Sequence, residues 1–376
     1  MNDNPVLWTP SPGRRESSQM YAFMKGCQFD DYGALYDWSI EEPETFWEAV
    51  CDFCDVRFAS PAATTLANPK DMMHPGWFEG STLNYAEHLL RHSGQRAALV
   101  FCGEDGSRRE LSFDALREQV ARAAAGLAAA GVDKGDRVAG YMPNCPETVV
   151  AMLAAASIGA IWSSCSPDFG ANGVVDRFGQ IEPKVLFAAN GYHYAGKIID
   201  RKPVIAEIVS RIPSITTTVV VPFIDTAEGS ENIANAVAWS DFQRAAGDLQ
   251  FTAVEFDHPL FIMYSSGTTG VPKCIVHGHG GTLLQHLKEH VLHCDVSADD
   301  SVFYFTTCGW MMWNWLVSAL ATGATVVLFD GSPFFDDGRG LWRMTQQEKL
   351  TVFGTSAKYL SALEKAGIRP ADEFDL

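Results

Sequence analysis

Polar and apolar positions change rhythm about a quarter of the way along the chain. From Gln19 to about Arg91 the sequence is rich in Trp and Phe and reads mainly helical, with Pro and Gly marking loops. In "SIEEPETFWEAVCDFCDVRF", Phe46, Trp47, Val50 and Phe53 recur at three-to-four spacing, which predicts an amphipathic helix packed on a larger body. Ser39 offers a cap to that helix, and Pro43 stands where an early turn tolerates it.

From Ala97 short apolar runs alternate with longer helical patterns. "AALVF" reads as a strand, Cys102 to Arg109 as a polar turn, and "LSFDALREQVARAAAGLAAAG" as a helix ended by Gly131. "DRVAGYM" is the next strand and "PETVVAMLAAASIGA" the next helix, entered through Pro146. "AIWSSCSP", "KVLFAA" and "TTTVVV" supply further strands. Strand, helix, strand in this order requires parallel crossovers. The predicted fold class is therefore α/β, with doubly wound, mostly parallel sheets and flanking helices behind a mainly helical N-terminal region. No segment repeats, which argues against a solenoid.

No charged residue occurs from Thr148 to Pro167 or from Ser301 to Phe329. Gly, Ser, Thr or Asn interrupt both stretches, and the second ends in "ATVVLF". A buried helix leading into a buried strand fits this texture better than a membrane span.

The 376 residues exceed one ordinary core, so two or more domains or subdomains are expected. A hydrophobic share of 47% with 20% charged residues describes a folded chain. The net charge of -18 disfavours nonspecific attraction to nucleic acid or anionic membranes, while leaving room for a local basic pocket. Nine scattered Cys, with no basic start followed by an apolar run, suggest a reducing cytoplasm. Cys51-x-x-Cys54 has redox or zinc spacing, but no second pair follows, so a pair of buried apolar Cys is the plainer reading.

Chemistry concentrates in "YSSGTTGVPK", Tyr264 to Lys273, between the apolar runs "PLFIMY" and "KCIVH". Gly267 and Gly270 permit torsions and close approach that a Cβ would block, so successive amides can converge on an anion. Ser265, Ser266, Thr268 and Thr269 add hydroxyls, and Lys273 adds a cation. A flexible linker would lie between domains, not inside a strand pair. Val271 and Pro272 stand where a Walker loop needs Gly directly before Lys, so a phosphate cradle of another kind is expected.

The order of residues in "YSSGTTGVPKCIVHGHGG" resembles the signature phosphate loop of the adenylate-forming superfamily, which includes acyl-CoA synthetases, luciferases and peptide-synthetase adenylation domains. "HPGWFEGSTLNYAEHLL" resembles the N-terminal region of its acetyl-CoA and acetoacetyl-CoA synthetase branch. "TTCGWMMWNWLVSAL" and "WSSCSPDFGANGVVDRFGQIEPKVLF" are most similar to the acetoacetate-activating members. The resemblance covers essentially the whole chain and divides it into a helical N-terminal region, 1–92, and a partial AMP-binding domain, 93–376. It implies activation of acetoacetate by ATP with Mg²⁺, followed by transfer to coenzyme A. Another short acid such as acetate or propionate, or a noncatalytic nucleotide- or coenzyme-A-binding module, are the competing readings.

On the same resemblance, Ser265, Ser266, Gly267, Thr268, Thr269 and Gly270 would hold the β- and γ-phosphates, with Lys273 stabilising their charge. Gly309, Trp310, Met311 and Met312 would line the acyl pocket, against a reading of Met and Trp as plain core. Trp162, Ser163 and Ser164 would face the pantetheine arm of coenzyme A, against a strand end packing its Trp inward. Lys197 would touch its nucleotide end, although Tyr194 replaces the neighbouring basic position. His277 and His279 flank Gly278, but the acid is already ionised near neutral pH and needs no general base, so a structural role or a nucleotide-side hydrogen bond is expected. "PADEFDL" comes before any match to the family's adenine, ribose and metal motifs or its late catalytic Lys. The expectation is the N-terminal part of a longer synthetase, inactive alone and prone to self-association.

Overall fold

A computed structural model describes residues 6–224, 232–244, 247–265 and 270–376. A five-residue helix, Pro12–Glu16, comes first, and three longer helices follow: α1 (Gln19–Gly26), α2 (Tyr32–Glu41) and α3 (Pro43–Phe53). Phe23 meets Phe46 and Phe53 edge-on at 6.1 and 5.3 Å, and Trp38 meets Phe46 at 5.8 Å, so the aromatic stripe is the packing surface. Ser39 does not cap α3. It lies inside α2 with its hydroxyl donating to Tyr36 O at 2.7 Å. The chain breaks at Glu42, and Pro43, which has no N–H to lose, starts the next helix. Strands Thr64–Ala67 and Gly76–Glu79 then pair antiparallel, in a stretch whose Pro and Gly read as loop. Cys51 and Cys54 are buried and unpaired. Burial pushes their thiols up to about 12 and about 11, as expected of apolar packing.

The rest of the chain alternates as its pattern predicts. After α4 (Tyr85–Leu89) come β1 (Ala97–Gly103), β2 (Arg108–Ser112), α5 (Phe113–Ala129), β3 (Arg137–Tyr141), α6 (Pro146–Ser157), β4 (Ile161–Cys165), α7 (Ala171–Ile181), β5 (Val185–Ala189), α8 (Lys202–Arg211), β6 (Thr217–Val221) and β7 (Ala236–Ala238). They are followed by β8 (Pro259–Tyr264), β9 (Cys274–Gly278), α9 (His279–Leu287), β10 (Ser301–Tyr304), α10 (Met311–Ser318), β11 (Thr325–Asp330), α11 (Gly340–Glu348), β12 (Val352–Gly354) and α12 (Ala357–Lys365). The polar turn after β1 is shorter than the sequence suggests, and Ser112 ends β2 while its hydroxyl accepts from Ala115 N–H to cap α5.

Two sheets result. One has seven strands in the order β7-β6-β5-β3-β4-β8-β9, parallel except for β9; the other has five in the order β12-β10-β11-β1-β2, parallel except for β2. Helix α6, buried at every residue but Glu147, packs on β3 and β4 of the first sheet and on β1 of the second. It is the layer between the sheets, which explains why residues 148–167 carry no charge. Val174 and Phe178 of α7 with Ile205 and Ile208 of α8 cover the outer face of the larger sheet. Leu341 and Met344 of α11 with Tyr359 and Leu363 of α12 cover the outer face of the smaller one. The second uncharged stretch is strand, helix and strand, β10-α10-β11, and not simply helix then strand. Among the described residues no helix is long and apolar enough to cross a membrane.

Gly140 on β3 lets a neighbour lie close. A Cβ there would come within 2.6 Å of the Trp162 ring, which is 1% exposed.

Candidate functional site

The loop singled out by the sequence joins β8 to β9 in an antiparallel hairpin, with Tyr264 opposite Cys274 and Met263 opposite Ile275. Ser266, Gly267, Thr268 and Thr269 lie outside the described residues. The base of the loop is closed twice: Ser265 N–H donates to Lys273 O at 3.0 Å, and Lys273 N–H donates to Ser265 Oγ at 3.2 Å. The Ser265 hydroxyl thus spends a lone pair on the turn and keeps its own hydrogen to donate. Gly270 has φ +99°, a torsion that a side chain rarely adopts, so the glycine is required by the backbone. Lys273 is exposed and has no ion-pair partner among the described residues.

The hairpin leaves the larger sheet at the carboxyl ends of its parallel strands, where open α/β sheets hold ligands. A cavity of about 580 Å³ opens there. Ser164 and Cys165 from the end of β4, Met263 and Tyr264 from the end of β8, and Ile275 and His277 from β9 form one side. Gly309 and Trp310 come from the segment between β10 of the other sheet and α10, and Met311 opens α10. That segment is tied across the gap. Ser164 Oγ donates to Cys308 O at 2.6 Å, Cys308 Sγ to Met142 O at 2.9 Å, and Trp313 Nε1 to Asn144 Oδ1 at 2.9 Å. With its backbone held, Trp310 remains 68% exposed and Met311 45%, an unusual state for large apolar side chains.

Of the four residues expected at an acyl pocket, Gly309, Trp310 and Met311 line the cavity, while Met312 packs against the main core. Of those expected at coenzyme A, Ser164 lines the same cavity. Trp162 is buried beside Phe187, and Ser163 Oγ donates to Ile262 O at 2.7 Å inside the sheet. Lys197 is exposed on a separate hairpin, Gly191–Tyr194 paired with Lys197–Asp200, outside the cavity. His277 is half-buried on the wall, and burial holds its ring below the usual histidine range. His279 is fully buried and pushed down to about 3, chiefly by desolvation. Its Nδ1 accepts from Tyr85 N–H at 3.2 Å, so it is a neutral structural residue and no proton carrier.

Sequence reasoning passed over Phe169, Arg177 and Tyr264, which also line the cavity. The signal was available for Arg177: it is a charge set beside the apolar stripe Val174, Phe178 and Ile181 of α7. The same helix braces the loop, because Gln180 Nε2 donates to Pro272 O at 2.9 Å just before Lys273. No group of three or more His, Cys, Asp or Glu side chains able to hold a metal occurs among the described residues.

Residues 86–374 match the family described as AMP-binding enzyme, and residues 32–89 match the acetyl-coenzyme A synthetase N-terminus. The acetoacetyl-coenzyme A synthetase of Rhizobium meliloti (strain 1021) is 48% identical over 379 residues, covering 98% of this chain and 58% of its own length. That of Gallus gallus is 43% identical over 390 residues, with 100% and 58% covered. A solved structure, acetoacetyl-CoA synthetase from Streptomyces lividans, superposes with a TM-score of 0.94 at 44% identity, covering 99% of this chain and 58% of that one. The chain therefore spans a little under three fifths of these relatives. With a signature loop on an α/β scaffold and a match over most of its residues, the chain belongs to the AMP-binding enzyme family.

Proposed function

We propose that this chain is the phosphate- and acyl-binding part of an acid-thiol ligase that activates acetoacetate with ATP and passes the acyl group to coenzyme A. The observation that carries this reading is a shared wall. Tyr264, the residue from which the phosphate loop departs, also lines the cavity beneath Trp310 and Met311. An acid seated in that cavity has its carboxylate beside the loop.

In the first step a carboxylate oxygen bonds to the α-phosphorus of ATP, and the bond to the bridging oxygen breaks, giving acyl-adenylate and pyrophosphate. In the second the thiol of coenzyme A attacks the acyl carbon, AMP leaves with the electron pair, and the thiol proton goes to solvent. ATP enters as its magnesium complex. Toward that complex this chain's residues act electrostatically and by positioning. Lys273 and Ser265, with Ser266, Gly267, Thr268, Thr269 and Gly270, hold the β- and γ-phosphates. Lys273 suits this role because no carboxylate competes for it among the described residues. Gly309, Trp310 and Met311 shape the acyl end, with Met312 supporting them from the core; Ser164 and Lys197 serve the coenzyme A side, with Trp162 and Ser163 as the buried ledge behind Ser164. Residues 1–92 act as the N-terminal region and 93–376 as the AMP-binding part.

The unpaired state of all nine Cys suits a cytoplasmic address. Exposed Val271, Ile275, Val276 and Trp310 favour self-association of the 376-residue chain, which light scattering across concentration measures; a monomer at every concentration contradicts it. The test of function is thioester formation by the longest form of the protein against a panel of short acids. Acetoacetate should lead, and a clear lead for acetate or propionate overturns the assignment.

A further inference from the structure

The cavity beneath Trp310 has one side chain with a permanent charge on its wall, Arg177. Its Nη1 donates to Gly173 O at 2.7 Å, and its guanidinium lies 4.5 Å from the Phe169 ring centre and 5.7 Å from that of Tyr264. It forms no ion pair among the described residues, in contrast to Arg108 and Arg109, which pair with Glu348 and Glu147. With one of its five N–H groups used, four remain to donate. Of the other polar groups on the wall, Ser164 Oγ donates to Cys308 O and Tyr264 Oη lies 3.0 Å from Ser163 Oγ, while burial holds the His277 ring below the usual histidine range, so Arg177 is the group there with a permanent charge. An apolar cavity with one stacked, unpaired guanidinium suits a small organic molecule carrying an oxygen acceptor.

We infer that Arg177 is a specificity-determining residue of this cavity, donating hydrogen bonds to the 3-oxo oxygen of a short 3-oxo acid. The inference rests on reading the cavity as the acyl site. Pairing with the carboxylate is the poorer choice, because a bidentate guanidinium would occupy the lone pairs of the oxygen that must attack phosphorus. The 3-oxo oxygen is two carbons away from that centre, and a saturated acid of equal length lacks it. The Phe169 and Tyr264 rings and the bond to Gly173 O restrain the guanidinium, so little ordering remains when the acceptor arrives.

The experiment compares acetoacetate with butyrate in the longest form of the protein, for the wild type, Arg177→Met and Arg177→Lys. A charge-assisted hydrogen bond predicts that the acetoacetate-to-butyrate ratio of kcat/KM falls about 10- to 100-fold in Arg177→Met, carried by the KM for acetoacetate. Arg177→Lys keeps the charge and recovers part of the ratio. An unchanged ratio overturns the inference, whether both acids are lost together, as carboxylate pairing or a structural role requires, or neither is affected. Equilibrium titration of the two acids on the same proteins decides the point independently of turnover. If the wild type makes neither thioester, the proposed function fails. Titration then still judges Arg177: discrimination lost in Arg177→Met upholds it, and discrimination kept, or absent from the wild type, overturns it.

Discussion

Asp330 ends β11 with its carboxyl sunk where the two sheets meet, and its Oδ2 has no hydrogen-bond partner among the described residues. Desolvation pushes this carboxyl from 3.8 up to about 7. The charges of Glu104, Asp105 and Asp168 act in the same direction, while the Asn144 backbone N–H opposes them. The folded state thus prefers the neutral acid. Its stabilising effect is complete below pH 4, the unfolded value, and is lost as pH rises through about 7. A rise of about 3 units at 1.36 kcal/mol each is worth roughly 4 kcal/mol over the whole window, and about 3 kcal/mol of it falls between pH 5 and pH 8. Asp330→Asn keeps the shape and cannot ionise. In chemical denaturation at a series of pH values, the variant should gain on the wild type by about 3 kcal/mol from pH 5 to pH 8. A difference that stays constant across that range would mean instead that the carboxyl titrates alike in folded and unfolded chains.

Glu104 is a second buried carboxylate, here fully used. It accepts from Ala195 and Gly196 N–H at 2.9 and 2.8 Å and from Ser332 N–H at 2.7 Å, joining the β1–β2 turn to the hairpin of residues 191–200 and to the loop after β11. Glu104→Ala strands three amides and should cost about 3 kcal/mol, with faster proteolysis near residue 195; unaltered denaturation and cleavage contradict this. Among the nine free Cys, Cys274 and Cys294 are exposed and five are buried. A thiol reagent under native conditions should therefore titrate about two groups quickly and most of the rest only after denaturation. Rapid reaction of all nine would mean that the core around Cys145, Cys165 and Cys308 is open.

Much of the scaffold was legible because it depends on local periodicity. The uncharged run through α6 reads as a buried helix leading into a strand, and the Gly-Ser-Thr segment between two apolar runs as a loop inside a strand pair, as α6, β4, β8 and β9 are arranged. What escaped notice depended on distant partners. Ser39 looked like a cap because capping residues are common before a Pro, yet the chain breaks three residues later and Glu42 takes that place. Met312 shares a motif with Trp310 and Met311, but helix geometry turns it toward the core. Trp162 was ambiguous because its burial is settled by Gly140 on the neighbouring strand and Phe187 on the strand beyond it. Arg177 stands out in the sequence as a charge beside the apolar stripe of α7, but its place in the cavity is set by the fold, which brings α7 beside Tyr264 and Trp310.

On the proposed function, the loop closed by Ser265 and Lys273 holds phosphate while the neighbouring cavity holds acetoacetate. Acetoacetate-dependent exchange of labelled pyrophosphate into ATP, by the longest form of the protein, reads both together. Exchange should require acetoacetate and fall by about two orders of magnitude or more in Lys273→Ala, the loss expected when a group stabilising transition-state charge is removed. Exchange that proceeds equally well without acetoacetate, or that survives Lys273→Ala at the wild-type rate, would contradict the proposed function.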